Sequence, residues 1–550
     1  MKNKEKPTEK HGLMKWLPLI VLSLALMIIV IDTTVLNVSI KNILEDLNTS
    51  VQGIQWVISA YSLTLAAFTV TGGRLGDLFG RKKMFVIGAI LFALGSLITS
   101  LSPTIAWLII GNSIIEGIGA ALMMPATASL LVSTYKGKDR AIGFAVWGSV
   151  AAAGAALGPI VGGYLTTNFS WRWAFRINLV VVLLLLVGAR FIAESRDKAE
   201  KIELDILGIV LSSIGLTTLV YGFIESSSYG WWNATKAFAI FGHAFVPLGL
   251  SITPIAIFTG ILFLTLFALW EDYHEKRGHT PLVSLGLFKN KQFTVGSSVT
   301  ALLALGQTGL VFAIPIFYQS VRGLDAFHTG LGLLPMSLGI MLGAPTSLQL
   351  IKKLTPKHVA QLGFVLMATG MGMLAFELNT TSTVWDLLPG LFLYGFGTGF
   401  AMSQLSNLTL SAVSVEQSGE ASGVNSTIRQ IGASFGSAII GAVLIATLTS
   451  SIVTKIEQSA VIPTQAKAQI ITGVKDAGSN IEFQKPSGES RLPSTIASTI
   501  TTNIHEATVD GNRVALLCAG GFSILALLIS TLLPNTHDLE KNQKAVIAGH

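Results

Sequence analysis

The sequence predicts an all-α integral membrane protein with fourteen transmembrane helices, on three observations. Hydrophobic residues make up 51% of the 550 residues and charged ones only 12%, against roughly a quarter charged in a typical soluble domain. Fourteen apolar stretches approach the about 20 residues needed to cross a bilayer; they begin near Trp16, Ile54, Met84, Ile105, Ala141, Trp173, Leu204, Ser251, Thr294, Thr329, His358, Trp385, Glu420 and Asn512. Lys and Arg then alternate between the two sides of these stretches, as cytoplasmic enrichment requires. With the N-terminus inside, the inner segments hold Lys2 to Lys15, Arg74 to Lys83, Lys136 to Arg140, Arg190 to Lys201, Lys276 to Lys291, Lys352 to Lys357, Arg429, Lys541 and Lys544. The short outer loops hold only Lys41, Arg172, Arg176, Lys236 and Arg322. The net charge of +7 is therefore a topology signal, and nucleic-acid binding does not explain it.

Taken in order, residues 1–15 form a basic cytoplasmic tail. The run from Trp16 continues towards Val38 without a small-residue cleavage site, so it reads as an uncleaved first span. Spans 2 to 6 follow up to residue 193. Residues 194–270 form a linker with two further spans; the second is ambiguous, because the apolar run from Ala237 to Trp270 exceeds one crossing and is broken by Pro247 and Pro254. Part of it is expected to lie on the outer surface. The last six spans occupy 271–533. Within them, 450–510 is too polar to span and carries Pro463, Pro486 and Pro493, which predicts a large outer loop without long helices. A cytoplasmic tail, 534–550, closes the chain. One cysteine, Cys518, excludes an intrachain disulfide, and the nine scattered histidines predict no metal site.

Between the second and third stretches lies Gly73-Arg74-Leu75-Gly76-Asp77-Leu78-Phe79-Gly80-Arg81-Lys82-Lys83. Glycines permit helix ends to approach, and Asp77 and Arg81, one turn apart, can pair at the membrane edge. This segment resembles the loop between helices 2 and 3 of the major facilitator superfamily, with Leu78 where that family usually has arginine. In the fifth span, Gly154-Ala155-Ala156-Leu157-Gly158-Pro159-Ile160-Val161-Gly162-Gly163 places glycines four apart for tight helix contact and a proline that removes one backbone hydrogen bond. It resembles the motif that marks proton antiporters in that superfamily. Asp32 to Val38, Trp171 to Asn178, Pro281 to Phe293, Ala421 to Asn425 and Arg429-Gln430 are similar to the fourteen-span drug:proton antiporters. The resemblance implies two six-helix bundles with two extra helices between them, rocking to give alternating access, with the Asp77 loop as a cytoplasmic gate.

An ionisable residue inside a span costs about 2.5 to 3.5 kcal/mol and tends to mark a substrate or proton path. Asp32 lies about fifteen residues, or roughly 22 Å, into the first span. Glu116 lies mid-way along the fourth, with Asn112 one turn before it on the same face. A carboxylate so placed can carry either a proton or a bound lipophilic cation, and that competition is a minimal antiport mechanism. The alternative for Asp32 is a helix-end residue bonded near Thr33 or Asn37; for Glu116, a protonated packing residue. The family motif's membrane arginine is missing from span 4, where Ser113 stands. Asp205, Glu225, Glu271, Glu377 and Asp386 fall near span ends and are expected to be solvated. Asn37, Gln307, Gln404, Asn407, Asn425, Arg429 and Gln430 could line a cavity or bond helix to helix, and Trp56, Tyr61, Met123, Met124, Phe312 and Tyr318 could hold a flat cation.

No phosphate-binding Gly-Lys-Ser/Thr loop is present, and Gly395-Phe396-Gly397-Thr398-Gly399 sits inside an apolar span, where helix packing explains it. The reading is therefore a non-enzymatic, cofactor-free, proton-coupled exporter of lipophilic, cationic drugs in a bacterial cell membrane, its partners being small molecules, protons and the bilayer. The rival is an exporter of a metabolite, lipid, siderophore or amino acid in the same fold. Asp77→Asn is expected to slow turnover while leaving substrate binding nearly intact, checked by measuring transport rate and equilibrium binding on the same preparation; normal transport removes the gate.

Overall fold

A computed structural model describes residues 13–135, 137–195, 205–240, 243–245, 249–279, 281–351, 353–413, 418–477 and 494–534. Helix α1 (Leu13–Val38) runs from one side of the helical array, here the near side, to the other, the far side. It is followed by α2 (Ile40–Leu47), α3 (Val51–Phe79), α4 (Arg81–Leu101), α5 (Ile105–Thr134), α6 (Gly137–Asn168) and α7 (Trp171–Gly188). Then come α8 (Ile206–Tyr229), the strands β1 (Phe238–Ile240) and β2 (His243–Phe245), and α9 (Ile252–Lys276). The second half holds α10 (Lys291–Ile316), α11 (Ala326–Gly332), α12 (Leu334–Leu350), α13 (Pro356–Glu377), α14 (Val384–Leu410), α15 (Ser418–Gln458), α16 (Thr464–Ala477) and α17 (Ser494–Ser530). Among the described residues twelve segments are long and apolar enough to cross a membrane, α11 and α12 together forming one of them. Two more long helices, α6 with 32 residues and α14 with 27, stand where the fifth and twelfth spans are predicted.

Local chemistry sets the breaks. Between α3 and α4, Gly80 has φ +111° and donates its amide to Gly76 O at 2.9 Å; any Cβ there would lie 2.8 Å from Glu194 Cδ. The Glu194 carboxylate accepts the amides of Lys82 (3.0 Å) and Lys83 (3.2 Å), an anion at a helix N-terminus. At the far side, Arg172 pairs with Asp46 and donates to Ser102 O at 2.8 Å, while Trp171 Nε1 reaches Asp46 at 2.8 Å. The Trp171-Arg172 motif thereby pins the start of α7.

The span-5 glycines do what their spacing predicts. A Cβ on Gly154 would sit 3.1 Å from Met27 O, one on Gly162 only 2.7 Å from Val35 Cγ2, and Gly158 is pressed against Thr34. They bring α6 onto α1 at backbone distance. Gly163 turns to the other half instead, where a Cβ would lie 2.8 Å from Phe327 Cα of α11, and Gly330 meets Pro159 O in return. Helix α6 thus packs into the first bundle and bridges to the second. Further bonds join the halves on the far side: Lys41 N to Gln319 Oε1 (2.9 Å), Gln319 Nε2 to Val38 O (3.0 Å), Phe327 N to Thr167 Oγ1 (3.1 Å) and Gln55 Nε2 to Ser437 O (3.2 Å). Ser59 and Ser437 also bond through their hydroxyls. On the near side, Arg74 Nη2 donates to Pro281 O at 3.4 Å across the halves.

Helix α8 lies over the seam between α3 and α15. Leu216, Val220 and Ile224 form an apolar cluster with Leu63 of α3 and Ala438 of α15. Glu225, predicted to be a solvated end, instead accepts Trp56 Nε1 (2.9 Å) and Gln52 Nε2 (3.1 Å) of α3. Asp205 and Glu271 depart further from that expectation, being 5% and 0% exposed, because the ends of α8 and α9 cover each other. Glu377 and Asp386 are exposed as predicted. The long run before Trp270 divides into the antiparallel β1–β2 pair and α9.

The segment 450–510 is not the loop predicted. Helix α15 continues to Gln458, α16 follows, and α17 begins at Ser494. Pro463 directly precedes α16, where a missing N–H costs nothing; Pro486 and Pro493 lie outside the described residues. Leu448, Ile452 and Ile456 recur every fourth residue and pack on Ile462, Ile500, Ile504 and Ala507, and Lys455 pairs with Glu506 at 2.9 Å. Gly162→Leu is expected to cost about 1–3 kcal/mol by overpacking the α1–α6 contact, seen as a lower unfolding midpoint in denaturant; an unchanged midpoint contradicts the close approach.

Candidate functional site

Five helices of the first bundle converge on two acids. Asp32 of α1 and Glu116 of α5 are 3% and 0% exposed, and so are surrounded by protein. The local structure of α5 aids this: Ile109 to Glu116 form a π-helical stretch, whose wider turn displaces side chains from the usual register, as at many functional sites. Asn112, Ser113 and Glu116 all lie on it. Gly95 of α4 lets α5 come close, since a Cβ there would lie 2.6 Å from Glu116 Cβ. The next residue, Ser96, therefore reaches the acid.

Ser96 Oγ donates to Glu116 Oε1 at 2.5 Å. Asn112 Nδ2 bridges the two acids, donating to Asp32 Oδ2 at 3.2 Å and Glu116 Oε2 at 3.3 Å. Asn178 Nδ2 of α7 bridges them again, lying 3.3 Å from Asp32 Oδ1 and 3.1 Å from Glu116 Oε1, with Ser96 Oγ at 3.0 Å. Tyr61 of α3 is buried within electrostatic reach of both carboxyls, and its hydroxyl has no partner. Neither acid takes part in any ion pair among the described residues. Two carboxylates held on shared amides, out of water and without a cation among the described residues, repel each other strongly when both are ionised.

Sequence reasoning finds Asp32, Glu116 and Asn112. It places Asn178 only within a motif, weighs Tyr61 only as an aromatic wall, and misses Ser96. Asp32 is not the helix-end residue of the alternative reading: Thr33 Oγ1 returns to Val30 O (2.7 Å) and Asn37 Nδ2 to Thr33 O (3.2 Å). Asn37 therefore bonds within its own helix and stands apart from the cluster. Ser113 donates to Val57 O of α3 at 2.8 Å, filling the missing arginine's place with a helix-to-helix bond.

The remaining candidates scatter. In the gate loop Gly73 and Gly76 make only ordinary contacts, 3.7 Å to Pro125 Cβ and 3.6 Å to Arg81 Cγ, and the close approach falls on Gly72, whose Cβ would lie 2.5 Å from Ala121 O. Arg81 N donates to Ser195 O at 3.0 Å. The side chains of Asp77 and Asn407 lie outside those described. In the second bundle, Gln404 Nε2 donates to Ser347 Oγ at 3.0 Å, a bond from α14 to α12, and Gln307 is half-buried on α10. Asn425, Arg429 and Gln430 lie along α15, with Asn425 Oδ1 buried and unpartnered and the other two half-buried. Among the aromatics, Phe312 and Tyr318 are buried in an apolar cluster shared by both halves.

Two helical bundles joined by a linker, with buried acids in one of them, define a secondary transporter. The chain belongs to the Major Facilitator Superfamily, whose profile matches residues 22–437. It is 29% identical over 511 residues to the multidrug resistance protein Stp of Mycobacterium tuberculosis, covering 92% of this chain and 89% of that protein. It is 27% identical to the tetracenomycin C resistance and export protein of Streptomyces glaucescens, covering 96% and 93%. It is also 31% identical to the multidrug efflux pump LfrA of Mycolicibacterium smegmatis, covering 80% and 82%. Among solved structures, a bacterial homologue of the human lysosomal transporter Spinster superposes with a TM-score of 0.58 at 15% identity, covering 94% of this chain and 98% of that one. The solved structure of tetrameric PepTSo2 gives 0.56 at 13%, covering 94% and 97%. These structural likenesses concern the fold.

Asn178→Ala removes donors from both acids and is expected to destabilise the protein by about 1–3 kcal/mol. In a double-mutant cycle with Asp32→Asn, read by denaturant unfolding, a coupling above about 0.5 kcal/mol is expected; strict additivity would separate the two residues.

Proposed function

We propose that this chain is a proton-driven exporter of lipophilic, cationic compounds across a bacterial cell membrane, with the Asp32–Glu116 pair as its proton carrier. The observation that carries this reading is the pair itself: two buried acids held by shared amides, with no cation beside them among the described residues. Such a pair changes charge by one when it gains or loses a proton. A second charge in that site is unfavourable unless a cation or water enters.

The cycle follows from that asymmetry. With the N-terminus in the cytoplasm, the far-side bonds close the outer mouth and leave the near side as the route of access. A lipophilic cation entering from the cytoplasm stabilises the doubly ionised pair and releases its proton; rocking of the bundles then exposes the pair to the outside, where a proton displaces the cation. Tyr61, with its free hydroxyl, and Asn112, whose Oδ1 is buried without a donor, offer polar groups next to the pair as its charge changes. No cofactor is required, because the proton gradient supplies the free energy. Resistance and export are what the names of the relatives state, and they support efflux as the direction.

The test uses energised inside-out vesicles, recording lumenal proton release when ethidium is added. Wild type is expected to release protons, and Asp32→Asn to lose at least about tenfold of the rate. Silence in wild type, with folded protein and vesicles that hold their gradient, replaces this reading with export of a metabolite, lipid, siderophore or amino acid.

A further inference from the structure

A second pair of acids lies far from the first, at the near-side ends of the two extra helices. Asp205 caps α8: its Oδ1 accepts the Gly208 amide at 2.9 Å and Trp270 Nε1 of α9 at 2.8 Å. Glu271 of α9 accepts the Val283 amide on Oε2 at 3.2 Å, and the Leu282 amide bonds the same carboxyl. Each acid keeps one oxygen with no partner, Asp205 Oδ2 and Glu271 Oε1. Both free oxygens crowd the same point, since a Cβ on Gly208 would lie 2.5 Å from Glu271 Oε1 and closer still to Asp205 Oδ2. The residues are 5% and 0% exposed.

Two acceptor oxygens facing each other out of water need a donor, and an ionised carboxylate has none. One proton on either acid supplies an O–H that satisfies both. We propose that Asp205 and Glu271 form a proton-binding site that latches the strap 281–284 onto the extra helices and releases it when the proton leaves. The ligand is a proton from the cytoplasmic side, and the site acts independently of which compound is exported.

Among the described residues, the surrounding charges make no ion pair with either acid. On α9, Asp272 pairs with Lys276 at 2.5 Å, Glu275 accepts Ser284 Oγ at 3.2 Å, and Arg277 lies over the Tyr273 ring. His274 stacks between Trp270 and His279, and its Nε2 has no hydrogen bond. Helix α8 contributes no other charged group at this end, the segment after the strap contributes Lys289, and α3 contributes Arg74 through Pro281 O. No described cation pairs with either acid. As pH rises the shared proton departs, two like charges face each other, and the strap loses the carboxylate that holds Leu282 and Val283. Because Arg74 of the gate loop holds the same strap, cytoplasmic pH would bear on the near-side gate.

Glu271→Gln keeps the shape, placing an amide donor against Asp205 Oδ2 while its carbonyl accepts the Val283 amide; Asp205→Asn does the same from the other side. Hydrogen exchange of the full chain in lipid nanodiscs, followed by mass spectrometry of peptides covering 281–284, reads the latch. Comparing protection factors at about pH 6 and about pH 9 in each protein cancels the intrinsic pH dependence of exchange. Wild type is expected to lose about tenfold in protection between the two, a cooperative local opening, while both variants hold theirs. Wild-type protection that does not change, or variants that lose as much as wild type, would overturn the proposal.

Discussion

The first bundle is organised around two acids that have no described cation to neutralise them. In a medium where every polar group must be satisfied internally, this demand reaches into four helices: α1 and α5 bring the carboxyls, α4 brings Ser96, and α7 brings Asn178. Each donor is held by an independent packing feature. Gly95 sets the distance between α4 and α5, the π-helical stretch sets the facing of Asn112 and Glu116, and the Trp171–Asp46–Arg172 contacts fix the start of α7. A change in any one misplaces a donor, so the polar cluster and the glycine-mediated contacts are one assembly.

Much of this is legible in the sequence because ionisable residues are conspicuous in apolar runs. Asp32 and Glu116 stand out in any reading, and Asn112 follows from helical spacing. Ser96 and Asn178 do not stand out, since serine and asparagine are tolerated in spans for many reasons, and only the registers of α4 and α7 against α5 reveal what they hold. The glycine motif of span 5 predicts a close helix contact, and α1 provides it; the bridge through Gly163 to α11 belongs to long-range assembly, which spacing does not encode.

Two expectations fail for physical reasons. Proximity to a span end suggests water, yet Asp205 and Glu271 are shielded because two extra helices bury each other's ends. A proline in a polar segment suggests a broken helix, yet Pro463 sits directly before α16, where the fixed proline φ suits the first turn. The amphipathic stripes Leu448-Ile452-Ile456 and Ile500-Ile504 are the signal that this segment folds.

Helix α15, at 41 residues, is about 60 Å long at 1.5 Å per residue, twice the about 30 Å hydrocarbon thickness. Its far part, braced on α17 by the Ile cluster and the Lys455–Glu506 pair, continues a membrane helix without a hinge. It is therefore a lever arm: from Ser450 onward it extends about 13 Å past the far face, placing its tip about 28 Å from the bilayer midplane, so the rocking proposed above would displace the tip further than it displaces the buried acids.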